Sequence, residues 1–241
     1  DADTIIEIMM PLWKPPKLVT CRAPMEKTGG AQVELETIEL EVYEKAVEGE
    51  TYYLDIDPSS GVKDTAHHPA GIHVSKDGSG DLVARWNGRI APYSLGRMAA
   101  VIGEKYNAAT IDIEMQDHWG VNVHRALLDA HYRGTVAFET RELRPGEWAK
   151  EIGFKQNEET KTIIIGEIQE WINAWAVGAG YAPCPSRDVL ECLLDTELDD
   201  RGKIIAGPGA GHGEDMILLG QKLRRAVNRS SREMPREEKE S

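Results

Sequence analysis

The stretch Thr51-Tyr-Tyr-Leu-Asp-Ile-Asp-Pro-Ser-Ser-Gly61 constrains the fold more than any other part of the chain. Aromatic and branched residues of high β propensity start it as a strand. Pro58 cannot continue a central ladder, and Ser59-Ser60-Gly61 supplies turn chemistry, so the strand stops at Asp57. Asp55 and Asp57 are two apart, which sends both carboxylates to the same face of an extended chain. An acid at a strand's carboxyl end is costly unless solvent, a cation or a metal compensates it. The plain alternative is an aspartate that opens a turn.

Around that stretch the pattern is α/β. Residues 1–30, with Pro11, Pro15-Pro16, Pro24 and Gly29-Gly30, read as a linker-like N-terminal arm. Val33 and Leu35, then Ile38, Leu40 and Val42 after a one-residue slip, read as a strand with a bulge. Residues 70–75 and 81–86 are two further strands joined by the loop Lys76-Asp-Gly-Ser-Gly80. Leu95, Met98, Ala99, Ile102 and Tyr106 mark a helix. The strand Thr110-Ile-Asp-Ile-Glu114 follows, then a helix through Val123 and Leu127, and a short strand over 135–138. Asn157 caps a helix whose stripe is Ile164, Ile168, Trp171, Ile172 and Trp175, and Ser186 caps another. Lys203-Ile-Ile-Ala206 is a last strand, and a glycine-rich turn leads to a helix beginning near Glu214. Residues 229–241 are a charged, polar tail expected to be disordered. Three hairpin-ordered strands, then alternating helices and strands, make a mixed sheet flanked by helices.

Glu114 repeats the arrangement at Asp57, since Asp112 and Glu114 are two apart on a strand that ends at the acid. Glu214-Asp215 comes where the glycine-rich turn enters a helix. Each pair has an ordinary explanation, as turn former or as favourable charge at a helix N-terminus. Central strands of such sheets put their carboxyl ends side by side, so Asp57, Glu114 and Asp215 are expected to converge. Crowded carboxylates raise one another's pKa unless hard cations neutralise them. Oxygen ligands without cysteine suit Mg²⁺ or Mn²⁺, and two such ions serve phosphodiester cleavage. Successive same-face residues stand roughly 6.5–7 Å apart along a strand, too far for one ion to draw equally on both members of a pair. Asp55 and Asp112 are therefore expected as an outer shell that holds waters or basic side chains.

Composition narrows the field. With 28 basic against 41 acidic residues the net charge is −13, which argues against gripping nucleic acid by a large basic surface. Phosphate met through divalent ions remains compatible with that charge. Cys21, Cys184 and Cys192 form neither a disulfide framework nor a zinc pattern, and read as reduced cysteines of an intracellular protein. No signal peptide or membrane-spanning run is present, and no GxxxxGK[ST] loop marks a nucleotide-hydrolysing site. The sequence starts at Asp1 rather than Met, and the expectation is a fragment of something longer.

Tyr53-Leu-Asp-Ile-Asp-Pro-Ser-Ser-Gly61, Tyr106-Asn-Ala-Ala-Thr-Ile-Asp-Ile-Glu114 with Gly120, and Gly211-His-Gly-Glu-Asp215 resemble the three acidic motifs of viral, tailed-phage-type DNA-packaging terminase large subunits. Gly153-Phe-Lys-Gln-Asn-Glu-Glu-Thr-Lys161 is similar to the segment those proteins carry before a long helix. The resemblance runs from about residue 33 to residue 223, in order, and covers what looks like the family's C-terminal nuclease domain; residues 31–228 are assigned to it. It implies a ribonuclease H-like fold without the family's ATPase motor domain. It implies an endonuclease that cuts double-stranded, concatemeric viral DNA with little sequence preference, using two Mg²⁺ or Mn²⁺ ions. Asp57, Glu114 and Asp215 would be the catalytic and metal-binding acids, with Glu214 a further metal candidate. Implied partners are double-stranded DNA, an ATPase domain, a portal protein and a small terminase subunit, in the host cytoplasm and transiently on the procapsid. The chain departs from the family in having Asp at 55, Glu at 214 and Gly213 between His212 and the acidic pair.

His212 beside the third acid is a candidate to position water or phosphate. Lys155 and Lys161 flank a helix N-terminus, where ammonium and backbone N–H groups can hold a DNA phosphate. His67, His68, His73, His118 and His124 read as ordinary loop or helix-flanking histidines, and Trp171 and Trp175 as core rather than a base-stacking platform. Two alternatives remain at this point. One is another ribonuclease H-like nuclease such as a junction resolvase; the other is a non-catalytic DNA-clamping or portal-docking module with structural acid pairs.

Overall fold

A computed structural model describes residues 2–26, 33–61, 69–115, 118–144, 147–198, 204–206, 215, 217–223 and 225. Its centre is β3 (Tyr52–Asp57), where strict alternation separates two chemistries. Tyr52, Leu54 and Ile56 are buried on one face, and Asp55 and Asp57 leave by the other. Fully buried side chains such as Leu54 and Ile56 each contribute about 1.5–3 kcal/mol, which fixes the face that β3 presents to the core.

The neighbours of β3 follow from its sequence context. The turn after Asp57 needs Gly61, whose φ is +70° and where a Cβ would lie 2.3 Å from the Ile90 carbonyl oxygen. β4 (Ala70–Lys76) returns antiparallel beside β3, and β5 (Leu82–Gly88) beside β4. β1 (Lys17–Glu26) and β2 (Val33–Val42) form a ten-residue antiparallel pair that joins at β5. β6 (Thr110–Ile113) lies on the other side of β3 and runs parallel to it. The six-stranded order is β1-β2-β5-β4-β3-β6.

Helices cover both faces. After α1 (Ala2–Thr4) come α2 (Pro92–Lys105) and α3 (His118–Asp129). Leu95, Met98 and Ile102 of α2 and Val123 and Leu127 of α3 close on the apolar face of β3, β4 and β6. A second core holds Ile164, Ile168 and Trp171 of α4 (Glu158–Ala176), Val189 and Leu190 of α5 (Arg187–Leu194), and Leu219 and Leu223. These last two belong to helical residues 215, 217–223 and 225, the C-terminal helix. Asn157 caps α4 as expected, in a capping box with Thr160 (2.7 and 2.9 Å). Trp171 and Trp175 donate their ring N–H groups to the Tyr181 carbonyl, so both tryptophans serve the core side of α4. Among the described residues no helix is long and apolar enough to cross a membrane.

Several expectations are corrected. The stretch read as an N-terminal arm carries β1 and buries Ile5 and Met9 in the second core. β2 has no bulge: its pairing with β1 is continuous, Leu35 is exposed, and Ile38 and Leu40 point inward. The segment expected as a strand over 135–138 makes isolated parallel bridges, Val136 to Ile111 and Phe138 to Gly153. Phe138 opens a separate ribbon of β7 (Phe138–Arg144) and β8 (Glu147–Ile152). Among the described residues β10 (Ile204–Ala206) pairs with β9 (Thr196–Leu198) alone, outside the main sheet. Ser186 stands at the cap position of α5 without a side-chain capping bond.

Gly153-Phe154 completes the end of β6. Phe154 donates to the Ile113 carbonyl (2.8 Å) and Met115 donates to that of Phe154 (2.7 Å). Gly153 reaches this position at φ +68°, where a Cβ would lie 2.1 Å from the Ile113 oxygen. Gly153→Ala is expected to destabilise by about 1–3 kcal/mol from backbone strain alone, with the clash adding to it. Gly166, inside α4, has nothing within 4 Å of a built Cβ. Gly166→Ala should therefore stabilise by about 0.5–1 kcal/mol. Urea denaturation of the two variants checks both signs.

Candidate active site at the carboxyl ends of β3 and β6

The strand registers assemble a polar row across the sheet. Asp55 pairs with Asp112 on one side and with His73 on the other. His73 pairs with Arg85, and Arg85 with Glu41. Five neighbouring strands thus contribute Glu41, Arg85, His73, Asp55 and Asp112 to one line on the face covered by the C-terminal helix. Two residues further along lies a shorter outer row. Ile56 pairs with Ile113, and the Glu114 N–H donates to the Ile56 carbonyl (2.8 Å), so Asp57 and Glu114 end adjacent parallel strands. Asp57 is half-buried, and Glu114 is buried and bridged to Phe154 on its far side.

Asp215 is placed differently. It enters from the C-terminal helix, fully buried, and docks on the inner row. Its Oδ1 accepts from Arg85 Nε (2.9 Å), and its Oδ2 from Arg85 Nη2 (2.7 Å). His73 Nε2 lies 2.7 Å from Oδ1. Arg85 Nη1 also donates to Glu41 (3.1 Å) and to Asp188 on α5 (3.0 Å). Burial alone would raise the Asp215 carboxyl, but the hydrogen bonds from His73 and Arg85 outweigh it and hold the group well below the usual carboxylate range. Burial pushes His73 down against the opposing pull of Asp215. A neutral His73 with its proton on Nε2 fits this arrangement, and its Nδ1 is buried with no hydrogen-bond partner.

Asp55 and Asp112 face each other across β3 and β6, and Arg225 of the C-terminal helix forks between them. Its Nη1 donates to Asp112 Oδ2 at 3.0 Å, and its Nη2 donates to Asp55 Oδ2. The same guanidinium lies 4.3 Å from the Tyr53 ring centroid. One turn earlier on the helix, Lys222 is buried and its Nζ has no hydrogen-bond partner. Burial pushes its ammonium group down.

The expected residues therefore separate. Asp57 and Glu114 come together, whereas Asp215 sits on the inner row beside β4 and β5. Among the described residues no three histidine, cysteine or acidic groups are clustered around a common point for an ion. Glu214, His212, His67 and His68 lie outside the described residues. Lys155 is exposed and directly follows Phe154, next to the end of β6, and Lys161 is half-buried in the first turn of α4. His118 is exposed and tilted against Trp119, with ring centroids 5.0 Å apart. His73, read as an ordinary histidine, and Arg85 and Arg225, not singled out at all, prove central to the site. A charged residue inside the apolar strand Leu82-Val-Ala-Arg-Trp86 was the available signal for Arg85.

A mixed sheet between helical layers, with acids ending its parallel pair β3 and β6, makes a ribonuclease H-like α/β domain. That fold is shared with phage large terminase nuclease domains. The large terminase nuclease from thermophilic phage G20c, solved with bound cobalt, superposes with a TM-score of 0.55 at 12% identity, over 91% of this chain and 96% of that one. The same nuclease with bound magnesium gives 0.55 at 11% identity, over 91% and 96%. The Thermus phage P74-26 large terminase nuclease domain gives 0.51 at 15% identity, over 75% of this chain and 82% of the other. No protein-family model matches the sequence, and no curated protein matches it either.

Arg85→Met should destabilise the protein by about 3–5 kcal/mol, because it strands the buried Asp215 carboxylate without its guanidinium. Arg187→Ala removes an ion pair whose side chains are 62% and 45% exposed, and should cost under about 0.5 kcal/mol. Chemical denaturation separates the two. A pH series tests His73, whose ordinary value is 6.5 and whose folded value is lower. Below pH 6.5 the unfolded chain binds the proton that the folded one refuses. Its contribution to stability is thus full above that pH and falls as the pH drops through it. The urea midpoint should decline from about pH 6.5 downward, and the decline should be shallower in His73→Gln.

Proposed function

We propose that this chain is a divalent-metal-dependent endonuclease domain that cuts double-stranded DNA during viral genome packaging. The observation that carries the reading is the pairing of Asp57 and Glu114 at adjacent carboxyl ends of parallel strands. Its support is the fold shared with large terminase nucleases solved with cobalt and with magnesium.

The donor chemistry fits hard cations. Asp57 and Glu114 offer only carboxylate oxygens, and the half-buried Asp57 leaves the outer row open to solvent on one side. Asp215 supplies the third carboxylate. A carboxylate has about four lone-pair sites, and Arg85 and His73 occupy three of those on Asp215. One site on Oδ2 remains for an ion, with Glu214 as the adjoining acid in sequence. Two Mg²⁺ or Mn²⁺ ions held here would activate a water for attack on phosphorus and stabilise the departing 3′-oxygen.

The residues around the acids have their own tasks. Arg85 and His73 keep Asp215 ionised and fixed in orientation, so its carboxylate needs no reorganisation to meet a cation. Gly153-Phe154 holds the backbone of Glu114 from the far side. Lys155 and the first turn of α4 stand next to that end of the sheet, where a DNA phosphate can be bound. Low sequence preference agrees with the net charge of −13, which leaves phosphate contacts few and base reading without a basic platform. In this reading the ATPase domain, portal protein and small terminase subunit supply the remaining grip on DNA.

Asp57→Asn, Glu114→Gln and Asp215→Asn are each expected to abolish Mn²⁺-dependent plasmid nicking. The first two should keep the circular dichroism and urea midpoint of the parent. Glu214→Gln should retain most of the nicking if Asp215 is the ligand. Near-normal nicking by Asp57→Asn or Glu114→Gln at saturating Mn²⁺ would overturn the reading.

A further inference from the structure

The inner row sets two acids against each other inside the protein. Asp55 and Asp112 are direct Cα partners on parallel strands, and their side chains are 0% and 12% exposed. Like charges at such positions repel, and burial strengthens the repulsion. Arg225 stands between them as a fork, 22% exposed and braced on the Tyr53 ring. Asp215, Leu218, Lys222 and Arg225 fall at i, i+3, i+7 and i+10, so one helical face brings all of these groups to the sheet.

The fork takes Oδ2 of both aspartates. Asp55 Oδ1 is buried with no hydrogen-bond partner, and Lys222 Nζ is in the same condition. Two facing carboxylates are what a divalent cation seeks, and these two lie one pleat behind Asp57 and Glu114. A guanidinium placed there occupies the bridging position that such a cation would take.

We infer that Arg225 is a built-in counter-ion that reserves the inner pair, keeping divalent cations off Asp55 and Asp112 and leaving them to Asp57, Glu114 and Asp215. This rests on the metal-dependent nuclease reading above. Arg225 is in these terms a positioning residue: it touches neither substrate nor the reacting atoms, and acts by deciding which carboxylates remain for ions. It also ties β3 to β6 two residues behind the outer acids, which fixes the separation of the strands that carry them.

The test is the stoichiometry of Mn²⁺ binding by calorimetry on the full chain. Arg225→Met should bind one ion more than the parent, and the added ion should vanish in the neutral variant Asp55→Asn/Asp112→Asn/Arg225→Met. Arg225→Lys keeps the positive charge and should bind the parental number. If Arg225→Met does not fold, the neutral variant still decides, since it removes both the repulsion and its compensation together. It should fold and bind the parental number of ions at parental affinity. No added ion in folded Arg225→Met, or ions lost from the neutral variant, would overturn the inference. The nuclease reading fails by a different result, namely parental Mn²⁺ binding that survives Asp57→Asn/Glu114→Gln.

Discussion

The guanidinium of Arg85 is the interaction on which the surrounding architecture depends. It is 2% exposed, grips both oxygens of a carboxylate that is not exposed at all, and reaches Glu41 and Asp188 with its remaining arm. Four elements therefore meet at one planar cation: β5, β2, α5 and the C-terminal helix. A buried ion pair of this kind yields little net stability, because desolvation offsets most of its Coulomb attraction. Its effect is on specificity. Any packing that slides the C-terminal helix along the sheet leaves a buried charge without a partner, which costs far more than an imperfect apolar contact.

That constraint explains how so many acids can be packed at one end of a sheet. The inner row contains its own cations, Arg85 and Arg225, each shared between carboxylates from different elements. The strands are thereby fixed by the chain's own charges. Asp57 and Glu114, one pleat beyond, inherit their spacing from a row already tied together by these two cations. Asp55 and Asp112 are bridged by Arg225, a side chain about 110 to 170 positions away in sequence.

The readable part of the fold was the part governed by local periodicity. Tyr52 to Asp57, Leu95 to Ile102 and the Asn157 cap each announce their element through residues a few positions apart. The pairing of Asp57 with Glu114 was legible for the same reason, since both strands end at their acids. What could not be read depends on contacts between distant segments. Arg85 looks like one charge in a strand until Asp215 reaches it, 130 residues later. The β7–β8 ribbon pairs outside the main sheet and alternates charged residues, so no apolar stripe marked it. The slip between Leu35 and Ile38 imitated a bulge, because an exposed leucine and a buried isoleucine look alike in a hydrophobicity pattern.

The two-faced character of β3 has an evolutionary consequence. Adding or deleting one residue within Tyr52–Asp57 would turn Leu54 and Ile56 toward the polar row and drive Asp55 into the apolar layer under α2. Both errors occur at once, and neither can be repaired by a nearby substitution. Length variation in this part of a gene is therefore restricted to the connection between Asp57 and Ala70, beyond the turn that Gly61 permits. Between related chains that connection is where insertions should collect, with the six residues before it constant in number however far their identities drift.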